Sequence, residues 1–117
     1  PGERILADAQ LYGKSSLLFV SHLRSWGVDV VIHDLADASQ FSDLMRNPTR
    51  LVFAESLTNP LIRWRAIDKL AEAAHSAHAI LAIDSTFSPP PILRPLELGA
   101  DFVIHSLTKI ISGHSDV

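Results

Sequence analysis

This sequence predicts an α/β fold, a mainly parallel sheet flanked by helices, and three observations lead there. Five short apolar runs recur along the 117 residues, each continuous rather than alternating. Continuous apolar runs suit strands covered on both faces, as in parallel sheets. The stretches between the runs have helical spacing or length, so strands and helices alternate. Third, polar side chains gather just past the ends of the runs, and right-handed crossovers bring successive strand ends to one side of such a sheet.

Ile5-Leu6-Ala7 reads as the first strand, ending at Asp8. Tyr12 to Ser16 leads into a helix predicted over Ser16 to Trp26, with Gly27 as its C-terminal stop. Val28 to Ile32 is the second strand. Ala36 to Arg46 reads as a short helix, ended before Pro48. Leu51 to Ala54 is the third strand, closed by Glu55, and a loop with Thr58-Asn59-Pro60 follows. Trp64, Ile67, Leu70, Ala71 and Ala74 recur at helical spacing and predict an amphipathic helix over Arg63 to Ala77. Ala79 to Ile83 is the fourth strand, ending at Asp84. Pro89-Pro90-Pro91 forbids regular structure there. Leu93 to Leu98 reads as a helical turn, and Phe102 to Ile104 as the last strand.

Composition narrows the classes. The chain is 47% hydrophobic and 20% charged, so it is globular, one domain with one core. Its net charge of −3, with scattered basic residues, gives no expectation of nucleic acid or a membrane surface. With 0 cysteines it has neither disulfides nor a thiolate nucleophile. No apolar run is long enough to cross a bilayer, Pro1-Gly2-Glu3-Arg4 does not open a signal peptide, and the expected location is cytoplasmic.

Lys109 follows the last strand, close to Ser106 and Thr108. Ligands of open α/β sheets bind beyond the carboxyl ends of the strands. An amine partly desolvated there loses its proton more readily and can attack an aldehyde to form a Schiff base. Asp84 closes the fourth strand, and neighbouring strand ends lie about 5 Å apart. A flat cationic heterocycle could lie between this carboxylate and this amine, as expected for pyridoxal phosphate. Each residue also has a plainer reading. Lys109 alone is an ordinary surface lysine, and Asp84-Ser85-Thr86 a helix or turn cap. Tyr12 alone is an amphipathic core residue, and Asn59-Pro60 a turn pair. Ser106 and Thr108 alone cap backbone groups. Glu55 reads as a solvated strand end outside the site, and His114 as a structural residue. His75 and His78 share a helix at ligand-like spacing, but no third ligand is evident and no metal is expected. Gly13-Lys14-Ser15 suggests a phosphate loop, yet Asp8 occupies the position of its first glycine.

Asp84-Ser85-Thr86-Phe87, Pro95 to Asp101, and His105-Ser106-Leu107-Thr108-Lys109 with Gly113-His114-Ser115-Asp116 resemble the signature of the Cys/Met-metabolism PLP-dependent enzymes. That family includes cystathionine γ-synthase, cystathionine γ-lyase, methionine γ-lyase and the O-acylhomoserine sulfhydrylases. Tyr12-Gly13 and Glu55-Ser56 through Asn59-Pro60 match two further family motifs in the right order. The resemblance implies that Lys109 holds the cofactor pyridoxal 5′-phosphate and then moves the substrate's protons. It implies that Asp84 keeps the pyridine nitrogen protonated and that Tyr12 stacks on the ring and assists proton transfer. Asn59 would bond the ring's 3-oxygen, and Ser106 and Thr108 the phosphate.

The family's usual Asn after the ring-binding Asp is Ser85 here, its Gly-Gly-Thr is Gly13-Lys14-Ser15, its usual proline is Leu57 and its common aspartate is Ala66. The resemblance implies the central portion of a fold-type I large domain over residues 1–117. The glycine-containing phosphate loop is expected before Pro1. The arginine for the substrate carboxylate and a small C-terminal domain are expected after Val117. The expected reaction is β- or γ-elimination, or γ-replacement, on a sulfur-containing or O-acylated amino acid. The expected assembly is a homo-oligomer, of the tetramer-of-dimers type. Two alternatives stay open: a truncated, inactive α/β fragment of such an enzyme, or another fold-type I enzyme, an aminotransferase or cysteine desulfurase.

Overall fold

The computed structural model describes residues 1–114, except for the side chains of residues 38, 39 and 42. Five strands form a single sheet: β1 (Arg4–Asp8), β2 (Asp29–His33), β3 (Leu51–Glu55), β4 (Ile80–Asp84) and β5 (Phe102–Ile104). All four pairings are parallel, in the order β2-β1-β3-β4-β5. The register places Ala7 beside Phe53, Glu55 beside Asp84, and Asp84 beside Ile104. The carboxyl ends of β1, β3, β4 and β5 are therefore contiguous, and the loops after them meet.

Two apolar layers cover the sheet. On one side, α2 (Ala38–Leu44) and α3 (Ile67–Ser76) pack over Leu6, Val52, Ala54, Leu81 and Ile83. On the other, α1 (Gly13–Leu17) continues as a widened π-helical turn, Leu18–Leu23. Its Phe19 lies 4.8 Å, centroid to centroid, from Phe53. The side chains of a strand alternate between faces, so Leu6 and Ala7 enter different layers.

The helix boundaries moved most. The first helix begins at Gly13, not Ser16, because the Tyr12 carbonyl already accepts the Ser16 N–H at 2.9 Å. Gly27, at φ +80°, ends that segment as expected. α3 starts at Ile67, four residues later than the periodicity indicated. Leu57 and Trp64 form an antiparallel bridge, and Arg65 turns inward to a buried carboxylate, so helical spacing is overridden. Trp64, counted among the apolar positions, is 57% exposed.

One expectation fails at the edge. Strands buried on both faces were expected, but Phe102 and Ile104 of β5 are 59% and 45% exposed; only Val103 packs inward. β5 is an edge strand, and no described element covers that face. Among the described residues no helix is long and apolar enough to cross a membrane.

Gly99 precedes β5 after a 3₁₀ turn, Pro95–Leu98. Its φ is +98°, and a Cβ there would lie 2.8 Å from the Ala71 Cβ of α3. Gly99→Ala should therefore cost at least about 1–2 kcal/mol from left-handed backbone alone, before the contact with α3 is relieved. The measurement is the urea midpoint, which an unstrained site would leave unchanged.

Candidate functional site

A cavity of about 180 Å³ opens where these strand ends meet, lined by Tyr12, Glu55, Leu57, Asn59, Asp84, Thr86, Phe87, Ser106 and Lys109. Tyr12 arrives from the β1 loop, Asn59 from the β3 loop, Asp84 from β4, and Ser106 and Lys109 from the β5 loop. Five of the six residues singled out from the sequence thus line one space. The sixth, Thr108, bonds the wall: its Oγ1 lies 2.8 Å from Ser106 Oγ. Ser115 and Asp116 of the terminal motif lie outside the described residues.

Asp84 is held by its own turn. Thr86 donates both its N–H (2.9 Å) and its hydroxyl (2.5 Å) to Asp84 Oδ1. The turn-cap reading of this triplet is thus correct, and compatible with a site, because Oδ2 carries neither bond. Thr86 Oγ1 in turn accepts the Ser106 N–H at 2.9 Å, which joins the β4 and β5 loops. Lys109 lines the cavity and is exposed, where partial desolvation was expected of it. Tyr12 is 47% exposed and lines the cavity, and so is not the core residue of its plainer reading. Asn59 precedes a cis proline in a loop tightened by the Arg63 N–H to Thr58 Oγ1 bond of 3.1 Å.

Glu55 was left outside the site as a solvated strand end, and the structure contradicts that. It is 4% exposed, lines the cavity, and its Oε1 accepts the Tyr12 N–H at 2.5 Å. Burial pushes its pKa up, and the negative charges of Asp84 and Asp8 add to the rise; the Tyr12 and Asn59 N–H groups oppose it. Its signal was positional: a polar residue in register with Asp84 on an adjacent strand, visible only once β3 and β4 are paired.

Beneath the two loops lies a buried ion pair that sequence reasoning missed. Arg65 binds Asp8 through Nε at 2.5 Å and Nη2 at 3.1 Å, and Nη2 also reaches Asp34 at 3.1 Å. The side chains of Arg65 and Asp8 are 1% and 0% exposed. Gln10 extends the pair. Its N–H bonds Asp8, its amide nitrogen bonds Asp34 and its amide oxygen accepts from Thr58. The loop carrying Tyr12 and the loop carrying Asn59 are thereby joined. His75 meets Asp101 at 3.0 Å, and the Leu81 N–H and His75 hold the Asp101 carboxyl below its ordinary range. His114 bonds the Ser112 carbonyl. Among the described residues no three His, Cys, Asp or Glu could hold a metal ion.

Residues 1–117 match a family model described as Cys/Met metabolism PLP-dependent enzyme. L-methionine gamma-lyase of Fusobacterium nucleatum subsp. polymorphum is 34% identical over 117 residues, covering 99% of this chain and 30% of the relative. O-succinylhomoserine sulfhydrylase of Pseudomonas aeruginosa is 38% identical over 112 residues, 96% of this chain and 28% of the relative. Cystathionine gamma synthase from Xanthomonas oryzae pv. oryzae, solved in complex with cystathionine, superposes with a TM-score of 0.95 at 36% identity, over 100% of this chain and 30% of that one. A putative O-acetylhomoserine (thiol)-lyase from Campylobacter jejuni, whose structure contains N′-pyridoxyl-lysine-5′-monophosphate, superposes at 0.93 with 28% identity, over 99% of this chain and 28% of that one. The chain spans less than a third of the length of these relatives.

The ion pair yields a direct test. Arg65→Met strands a buried carboxylate and should destabilise the fold by about 3–5 kcal/mol. Adding Asp8→Asn removes the stranded charge while keeping an Oδ1 for Gln10, and should restore most of that loss. Denaturant unfolding of the two variants measures it; equal losses in single and double variants would count against the pairing.

Proposed function

The chain belongs to the Cys/Met-metabolism PLP-dependent enzymes, and from that premise we propose that it forms the central portion of the cofactor-binding domain of a transsulfuration enzyme. The proposed reaction is β- or γ-elimination, or γ-replacement, on a sulfur-containing or O-acylated amino acid. The observation that carries it is the convergence of Lys109, Asp84, Tyr12, Asn59 and Ser106 on one cavity.

The residues present fit pyridoxal phosphate. The cavity is lined by an amine, by a carboxylate whose Oδ2 takes no part in the Thr86 bonds, and by an aromatic ring. The paired hydroxyls of Ser106 and Thr108 complete the set. Lys109 would hold the cofactor through Nζ and, once released, move a proton at the amino acid's reacting carbon. Asp84 Oδ2 would partner the pyridine nitrogen while Thr86 keeps Oδ1 in place. Tyr12 would cover the ring face, Asn59 would bond its 3-oxygen, and Ser106 and Thr108 would take the phosphate as hydrogen-bond donors. When bound, the group supplies an electron sink for the pair left by C–H cleavage.

The relatives' names favour this chemistry over that of an aminotransferase or a cysteine desulfurase. The reading includes a cytoplasmic location and a homo-oligomer. The exposed Phe102, Ile104, Leu107, Ile110 and Ile111 support a covering surface, supplied by a second copy or by more of a longer chain.

Two measurements test the proposal on the protein that carries this chain. Borohydride reduction with pyridoxal phosphate should leave a pyridoxyl group on Lys109, mapped by mass spectrometry. An adduct on Lys14 or Lys69 with Lys109 unmodified would end the reading, as would failure to turn over any of cystathionine, methionine and an O-acylated homoserine, read as release of a 2-oxo acid or of the acyl leaving group. Asp84→Ala should slow α-proton exchange in deuterated water by on the order of 10²-fold, the usual loss when a charge-stabilising partner is removed. Exchange at the parent's rate would exclude Asp84 as the ring partner.

A further inference from the structure

We propose that Glu55 is a positioning residue for Tyr12: its carboxyl, wedged between the β1 loop and β4, fixes the backbone from which the phenol reaches the cavity. The tie is long in sequence and short in space, Glu55 Oε1 to the Tyr12 N–H at 2.5 Å across 43 residues. On its other side Tyr12 is fixed by α1, since its carbonyl accepts the Ser16 N–H at 2.9 Å. The N–H and the C=O of Tyr12 are thus both held, one by Glu55 and one by Ser16. Tyr12 has no side-chain cap bond of its own, so its place depends on these backbone ties.

The environment of Glu55 makes the tie responsive to pH. Among the described residues its Oε2 is buried without a hydrogen bond of full geometry, although the Asn59 N–H lies near enough to the carboxyl to oppose the rise in its pKa. Asp84 on β4 and Asp8 on β1 face it with negative charge, Asp8 being paired to Arg65. Lys109 and the Tyr12 phenol share its cavity. Burial raises its pKa, so the neutral form persists to higher pH than for a free carboxyl, and rising pH brings a second negative charge beside Asp84. Ionisation therefore acts on Tyr12 through one hydrogen bond.

The catalytic consequence rests on the transsulfuration reading; the structural one does not. The protein is labelled with 3-fluorotyrosine, and the Tyr12 resonance is assigned by its loss in Tyr12→Phe. Spectra are recorded without cofactor from about pH 4 upward, stopping short of the phenol range. The parent's Tyr12 signal should move with pH, and that of Glu55→Gln, which keeps an acceptor oxygen but cannot ionise, should not. Glu55→Ala should shift the signal toward that of an exposed fluorotyrosine. It should also lower kcat by about tenfold or more, as expected for a misplaced group, while Glu55→Gln stays within about threefold of the parent. A Glu55→Ala variant whose signal and kcat match the parent's overturns the proposal. If Glu55→Ala does not fold, the other pair decides: identical pH profiles for parent and Glu55→Gln overturn it, and a titration confined to the parent supports it. A parent without transsulfuration activity ends the functional reading, while the fluorine signal still decides the role of Glu55.

Discussion

The site depends on a charge that should not be buried. Asp8 is 1% exposed at the end of β1, where an unpaired carboxylate would cost several kcal/mol in desolvation. Arg65 answers it with two hydrogen bonds, and a third to Asp34 carries the charge outward to a side chain that is 46% exposed. The guanidinium is brought onto Asp8 by a fixed backbone, the Arg65 N–H donating to the Ser56 carbonyl at 3.1 Å, while its Nη1 is buried without a hydrogen-bond partner among the described residues. Arg65 therefore cannot join α3. The residues between Ser56 and Arg65 become a closed loop instead of a helical turn, and Asn59 stands at its tip. One ion pair below the site thus decides that the loop after β3 faces the loop after β1.

Strand order turns that local fact into a cavity. In the order β2-β1-β3-β4-β5 the chain leaves β1 toward one edge and returns on its other side. Crossovers on opposite faces leave a crevice where the order reverses, and ligands of open α/β sheets occupy it. Tyr12 and Asn59 flank that crevice, one from each strand. Asp84 and Lys109 come from the next two strands, so the chemistry-bearing groups form a row across four neighbouring strand ends. The edge has its own consequence. β5 presents unpaired backbone and the exposed Phe102 and Ile104, an arrangement that free proteins avoid and assemblies use.

What could be read from the sequence was local in origin. The five strands were legible because continuous apolar runs have few alternatives, and the predicted Phe102–Ile104 matches β5 end to end. Asp84 and Lys109 were legible because each follows, or closely trails, such a run, whereas Tyr12, a core residue on its own reading, was drawn to the site by the resemblance of its motif. Glu55 was equally well placed but was assigned to solvent. Its burial depends on Tyr12 arriving from a loop 43 residues away, which no local pattern contains. Arg65 was lost for a related reason. A charged residue among Trp64, Ile67 and Leu70 looks like the polar face of a helix, and only the partner in β1 shows otherwise. The start of the first helix was missed because Gly13 reads as a breaker, whereas the turn is closed by backbone bonds that ignore side chains.

The departures from the family pattern can be read the same way. Ser85 stands where the family pattern has an Asn, beside the carboxylate proposed to partner the ring nitrogen. It is 0% exposed, and its hydroxyl lies 3.0 Å from Ser56 Oγ and 3.1 Å from Ser88 Oγ, with a further bond of 2.8 Å to the Ser88 carbonyl. Three buried hydroxyls thus satisfy one another, which matters because an unpaired buried hydroxyl costs about 1–3 kcal/mol. Ser56 follows Glu55 and Ser85 follows Asp84, so the cluster binds the two strand ends one residue beyond the two acids. Glu55 and Asp84, in register and both acidic, would otherwise repel and splay their loops. The hydroxyl cluster opposes that, and the raised pKa of Glu55, caused first by its burial, makes the second charge easier to lose as pH falls. Ser85 is therefore part of the scaffold that holds Asp84 where a ring nitrogen could meet it.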